Sequence, residues 1–166
     1  MTHFLTGYTQ ATVCLPVRDG QVFLAEKQGK IGAGRLNGFG GRREPEDATI
    51  QDTNIREVQE EVGITVTRAR QLGDICFHNP SQREEALRRM QVHFFVATQW
   101  LGEPRESEEM KNFAWHDIDG LDYSQFMPGD RLFLPAILGG QSVRGLVAYD
   151  EQERVVMKDL SIVKKL

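Results

Sequence analysis

The sequence predicts an α+β fold. Many strand-like segments alternate with turn signals, only two segments carry a helical pattern, and the two kinds do not alternate as a doubly wound parallel sheet requires. The chain has 166 residues, a length that suits one domain, 1–166. A chain of this size buries roughly 70% of its unfolded surface, so it can hold a core without disulfides or metal staples.

ATVCLPV (11–17) and QVFLAEK (21–27) are apolar, β-prone runs joined by a turn at Arg18-Asp19-Gly20. KQGKIGAGRLNGFGGR (27–42) is a loop with six glycines, suited to tight turns or to close approach of backbone to a ligand. A helix is predicted from about Asp47 to Glu61. Ile50, Ile55, Val58 and Val62 mark its apolar side, and Gly63 follows as a C-cap. QLGDICFHN (71–79) is a predicted strand, and RREEALRRMQ (82–91) is a charged loop or partial helix. VHFFVATQW (92–100) and KNFAWHDI (111–118) are predicted strands. GDRLFLPAIL supplies a second helix over about 130–138, limited or kinked by Pro135. Residues 143–163 close the chain as a hairpin.

Composition excludes several classes. A net charge of −4 argues against a chain that holds duplex nucleic acid by neutralising phosphates. Cys14 and Cys76 have no metal-ligand spacing and form no disulfide framework. Cys14, inside an apolar run, is expected in the core. MTHFLTGYTQ lacks the basic and apolar regions of a signal peptide. No window approaches 18 apolar residues, so no membrane span is expected. A cytoplasmic protein is expected.

REVQEEVG (56–63) carries the chemical signal. Glu57, Glu60 and Glu61 fall at i, i+3 and i+4, on one helix face. Such pairs of like charge cost a few tenths of a kcal/mol each. A divalent cation would turn that repulsion into attraction. Mg²⁺ takes oxygen ligands and is often held by one or two carboxylates together with substrate phosphates. A carbonyl from the Gly40-Gly41 region could complete the shell. A glutamate-rich face that is merely solvated is the competing explanation.

GG…REVQEEVGI resembles the Nudix box, written G-x5-E-x7-R-E-U-x-E-E-x-G-U with U aliphatic. Arg56, Glu57, Val58, Glu60, Glu61, Gly63 and Ile64 match every defined position of its second half. The first half departs. Counted from Gly41, the arginine falls one residue late; counted back from Arg56, the first glutamate position is Ala48. Glu46 or Asp47 is the expected substitute, after a one-residue bulge. GAGRLNGFGG (32–41), ESEEM (106–110), MPGDRLFLP (127–135) and the closing hairpin extend the resemblance across nearly the whole chain. They are similar to the mammalian MutT-type branch of the family, which hydrolyses 8-oxo-dGTP and 2-hydroxy-dATP and so cleans the nucleotide pool that feeds DNA synthesis.

That resemblance implies a Nudix α/β/α sandwich, a mixed sheet between helices. It implies Mg²⁺, with Mn²⁺ able to substitute, and hydrolysis of a purine nucleoside triphosphate to monophosphate and pyrophosphate. Glu57, Glu60, Glu61 and the Gly41 carbonyl are the implied metal ligands. Glu109 joins the metal centre or activates water, unless Glu106, Glu108 and Glu109 are only an acidic surface turn. Glu60 and Glu109 both remain open as the base. Arg56 would pair with a box carboxylate and hold the helix to the loop. Lys27 falls near the phosphates or the pocket, or is a plain exposed lysine. Asn37 would read the purine, or serve as a turn residue. Asp130 would accept from a guanine edge, or cap a helix. Thr12, Phe77 and Met90 match pocket positions, or belong simply to the sheet interior. The family's second aspartate is Gly129 here, and its stacking tryptophan is Met127. Loss of that carboxylate is expected to narrow or shift base selection, while Met127 packs on the base with its polarizable sulfur. Other Nudix substrates, such as ADP-ribose or a dinucleotide polyphosphate, and a nucleotide-binding module without catalysis are the alternatives. A monomer is expected.

Overall fold

A computed structural model describes residues 4–29 and 31–166. The first three residues of MTHFLTGYTQ, and Lys30 in the glycine loop, lie outside the described residues.

The first hairpin is β1 (Thr9–Arg18) and β2 (Gln21–Lys27). Asp19 and Gly20 both take positive φ, 51° and 75°, as a two-residue type I′ turn requires. β1 and β2 pair only beside that turn, at Val17↔Val22 and Arg18↔Gln21, and then diverge. β1 continues parallel to β5 (Arg89–Leu101), and β5 pairs antiparallel with β4 (Thr65–His78). β4 runs parallel to β7 (Ser142–Tyr149), which forms the closing hairpin with β8 (Val155–Val163). β6 (Met110–Asp117) pairs with β2 on the edge away from β1, and the two-residue β3 (Leu36–Asn37) pairs with β2 on the edge away from β6. The sheet is mixed, as expected for this fold.

Two apolar clusters cover its faces. One gathers Val58 and Val62 of α1 (Ile50–Val62) with Cys14, Phe23, Phe39 and Ile64. The other gathers Phe133 and, from the five-residue α2 (Leu134–Leu138), Leu134 and Ile137, with Ile75, Phe77, Phe94 and Val147. Helices therefore lie against both faces of the sheet. Cys14 is fully buried, as the apolar run around it suggests.

Several boundaries move. The first helix begins at Ile50, not Asp47, because Thr49 caps it: its hydroxyl accepts from Asp52 N–H, and Asp52 returns a bond to the Thr49 backbone. Gly63 ends it in the left-handed conformation, φ 77°. β4 starts six residues earlier than predicted. Three register shifts between Val66 and Gly73 break the alternation by which a strand is read. The 82–91 stretch holds a short 3-10 turn at Glu85–Leu87, and β5 takes its end. The second helix is corrected to a 3-10 turn at Asp130–Leu132 followed by α2. Pro135 sits in the first turn of α2, where its missing N–H costs nothing. Among the described residues no helix is long and apolar enough to cross a membrane.

Candidate active site

The glycine loop returns along β1 before α1 starts. Thr12 N–H donates to Gly41 O at 2.9 Å, and Phe39 N–H donates to Cys14 O at 2.9 Å. A Cβ at Gly40 would overlap the Thr12 carbonyl, and one at Gly41 would overlap the Glu57 carboxylate. Only glycine lets the loop pass between strand and helix here.

Arg56 ties the loop to α1. Its Nε and Nη2 donate to the two oxygens of Asp47 at 2.9 and 2.8 Å. Nη2 also reaches Arg42 O, and Nη1 reaches Glu57 Oε1 at 2.7 Å and Glu60 Oε2 at 3.2 Å. Asp47 is buried and also accepts from Thr53 Oγ1 and Glu44 N–H. The Arg56 guanidinium, first among these partners, holds the Asp47 carboxyl well below the usual carboxylate range. Asp47 rather than Glu46 thus fills the displaced box position. One extra residue of chain accompanies a side chain one methylene shorter.

The three box glutamates differ in environment. Glu60 is exposed. Glu57 is partly buried, and that burial raises its pKa against the opposing pull of Arg56. Glu61 is 6% exposed and accepts from Gly40 N–H at 2.8 Å. Burial pushes it up to about 8; the Gly40 bond and the Lys27 charge oppose this, while Glu109 and Glu57 add to it. The register pair Lys27↔Met110 sets the end of β2 beside the ESEEM turn. Gln28 N–H donates to Glu109 O at 2.8 Å and fastens that turn in place.

These groups line one cavity of about 360 Å³. Its wall includes Thr12, Lys27, Asn37, Gly41, Glu57, Glu60, Glu61, Phe77, Met90, Glu109, Met127 and Asp130. Arg56 is not on the wall; it braces the carboxylates from behind. Asn37 Oδ1 accepts from Gly38 N–H at 2.9 Å, which leaves its NH2 as the group it offers a ligand. Asp130 provides no side-chain cap to the turn it begins. Burial raises its pKa to about 7, against a hydrogen bond from the Met127 backbone and the charges of Arg35 and Lys27. Thr12 Oγ1 is buried on this wall without a hydrogen-bond partner among the described residues, so a ligand there would meet an unsatisfied hydroxyl.

The donor set suits a hard divalent cation: carboxylate oxygens, some desolvated and mutually repelling, beside a backbone carbonyl. Among the described residues no three acidic, histidine or cysteine side chains form a closed metal-holding group. An open set of this kind fits an ion whose remaining ligands are waters and substrate phosphates.

The pocket also has walls that sequence reasoning missed, among them Ile31, Leu87, Phe94 and Tyr149. Ile31 stands in the glycine loop, where its apolar character was legible. Tyr149 lies in the closing hairpin, 14 residues past the end of MPGDRLFLP, and no motif there marks it as a pocket residue.

A helix of spaced carboxylates, braced by Arg56 on the buried Asp47 and facing a glycine loop, is the arrangement of a Nudix domain. The NUDIX domain model matches residues 7–137, and the chain belongs to that family. It is similar to the oxidized purine nucleoside triphosphate hydrolase of Danio rerio, 36% identical over 155 residues, covering 93% of this chain and 96% of that protein. The Mus musculus protein of the same description is 34% identical over 153 residues, 92% of each chain. The MutT protein of Bacillus halodurans shares the fold, with a TM-score of 0.78 and 24% identity over 92% of this chain and 97% of that one.

Proposed function

We propose that this protein hydrolyses oxidised purine nucleoside triphosphates such as 8-oxo-dGTP to the monophosphate and pyrophosphate, and so sanitises the nucleotide pool. One observation carries the reading: a single cavity joins the Glu57-Glu60-Glu61 face and Gly41 to Asn37 and Asp130. One set can serve the phosphates and the other a base. The fish and mouse relatives, named as oxidized purine nucleoside triphosphate hydrolases, support the substrate class. A chain that keeps all three glutamates is poorly explained as a module that only binds nucleotide.

Glu57, Glu60, Glu61 and the Gly41 carbonyl would hold Mg²⁺ or Mn²⁺, with Glu109 at the same centre. When bound, the ion supplies charge neutralisation at the phosphates and makes water a better nucleophile. Glu60 or Glu109 takes the proton from a water that attacks the β-phosphorus. The bond from that phosphorus to the α–β bridging oxygen breaks, the monophosphate leaves, and pyrophosphate carries the new oxygen. Lys27 offsets negative charge at the phosphate end. Asn37 and Asp130 hold the base edge while Met127 packs on its face. Positioning and electrostatics provide most of the acceleration. Each chain carries the whole cavity, which suits a monomer acting on free nucleotides in the cytoplasm.

Glu60→Gln tests the assignment. Its side chain is 59% exposed, so the variant is expected to fold with an unchanged melting curve and to lose roughly 100-fold or more in Mg²⁺-dependent turnover. Wild-type turnover in Glu60→Gln would refute the role of that glutamate. The parallel Glu109→Gln variant shows which of the two carries the larger share.

A further inference from the structure

Gly129 has φ −78°, a conformation open to any residue, so backbone geometry does not demand glycine there. Space does. A Cβ at 129 would overlap the hydroxyl of Tyr149, which accepts from the Gly129 N–H at 3.0 Å in a buried contact. Tyr149 ends β7, is 4% exposed, and lies on the cavity wall with Asp130. Its ring stacks on Phe77 with centroids 6.5 Å apart and planes 12° apart, so the hydroxyl is held in one place. That hydroxyl receives a proton from Gly129, and among the described residues no acceptor takes its own proton.

We propose that Tyr149 is a specificity-determining residue: its hydroxyl fills the space left by Gly129 and donates to the 6-oxygen of a purine whose N1–H is accepted by Asp130. This rests on the purine nucleotide reading given above and adds the choice of base. A phenol donor beside a carboxylate acceptor complements the edge of a 6-oxopurine, which presents an acceptor next to a donor. A 6-aminopurine presents the opposite order and would leave the buried Tyr149 proton unpaired. The phenol holds its proton throughout the working pH range, because burial first, and the nearby Asp130 charge next, raise its pKa. The phenol therefore stays the donor, and once Asp130 has released its proton the pair favours 6-oxo bases.

A cycle in protein and substrate tests this. kcat/KM for pyrophosphate release is measured for wild type and Tyr149→Phe, each on dGTP and on 2-aminopurine deoxyribonucleoside triphosphate, which lacks the 6-oxygen. The change at N1 that accompanies loss of that oxygen is common to both proteins and cancels. The wild-type preference for dGTP is expected to exceed that of Tyr149→Phe about 10-fold or more. Equal losses on both substrates would mean that Tyr149 only supports the Gly129 turn, and would overturn the proposal, as would no effect of the substitution. If neither triphosphate is hydrolysed by wild type with Mg²⁺, the hydrolase reading fails separately. The same four-way cycle is then read from calorimetric binding of the two monophosphates, where an unchanged preference again overturns the base assignment.

Discussion

Asp47 and Asp130 show how much of the chemistry is set at single residues. Asp47 accepts four hydrogen bonds from three residues and has almost no exposure, so its removal takes two bonds from the Arg56 guanidinium and leaves the Thr53 hydroxyl and Glu44 N–H without this acceptor. Asp47→Ala is expected to cost about 3 kcal/mol in urea unfolding at pH 7. Asp130 works in the other direction. Its folded pKa of about 7 lies above the reference 3.8. Between about pH 4 and pH 7 the native state keeps a proton that the unfolded chain has released, so this group's contribution to stability falls as pH rises through that window. Asp130→Asn is expected to lose less stability than wild type between pH 5 and pH 8. Parallel losses in the two proteins, by denaturant titration at both pH values, would show that Asp130 ionises normally.

Elements place these residues where no single motif could. The capped helix α1 offers Glu57 and Glu61 to the cavity because the loop at Gly40-Gly41 passes within contact of both. Gly41→Ala pushes a methyl into the Glu57 carboxylate. It is expected to lower kcat at least 10-fold, with a stability loss of about 1–3 kcal/mol; full turnover in this variant would show that Glu57 can move without consequence. Much of this was legible in the sequence. REVQEEVG announced the helix face, and Gly63 its end. The displaced first half of the box left Glu46 and Asp47 as equals, and only three-dimensional proximity to Arg56 separated them. β4 was read short because register shifts scramble its alternation near Arg68. The helix at 130–138 was read long because Leu132, Phe133, Leu134 and Ile137 look helical, although the chain turns tightly before Pro135. Tyr149 was invisible, since nothing in a terminal hairpin's sequence says which pocket its last residue closes.

At the scale of the whole molecule, a sheet covered on both faces opens one cavity that joins α1 to the far strands β4, β5 and β7. Carboxylates line its α1 side. Asp130 and the apolar side chains of Phe77, Met90 and Met127 complete the wall. The net charge is −4, and carboxylates crowd the α1 side of the cavity, so the proposed function predicts that turnover of an anionic substrate depends on a divalent cation. The most direct measurement is therefore pyrophosphate release with Mg²⁺ on 8-oxo-dGTP, 2-hydroxy-dATP, dGTP, dATP and ADP-ribose, each with an EDTA control. Metal-dependent release, fastest on 8-oxo-dGTP and abolished by EDTA, is the expected result. Release that survives EDTA, or turnover of ADP-ribose with none of any purine triphosphate, would contradict it.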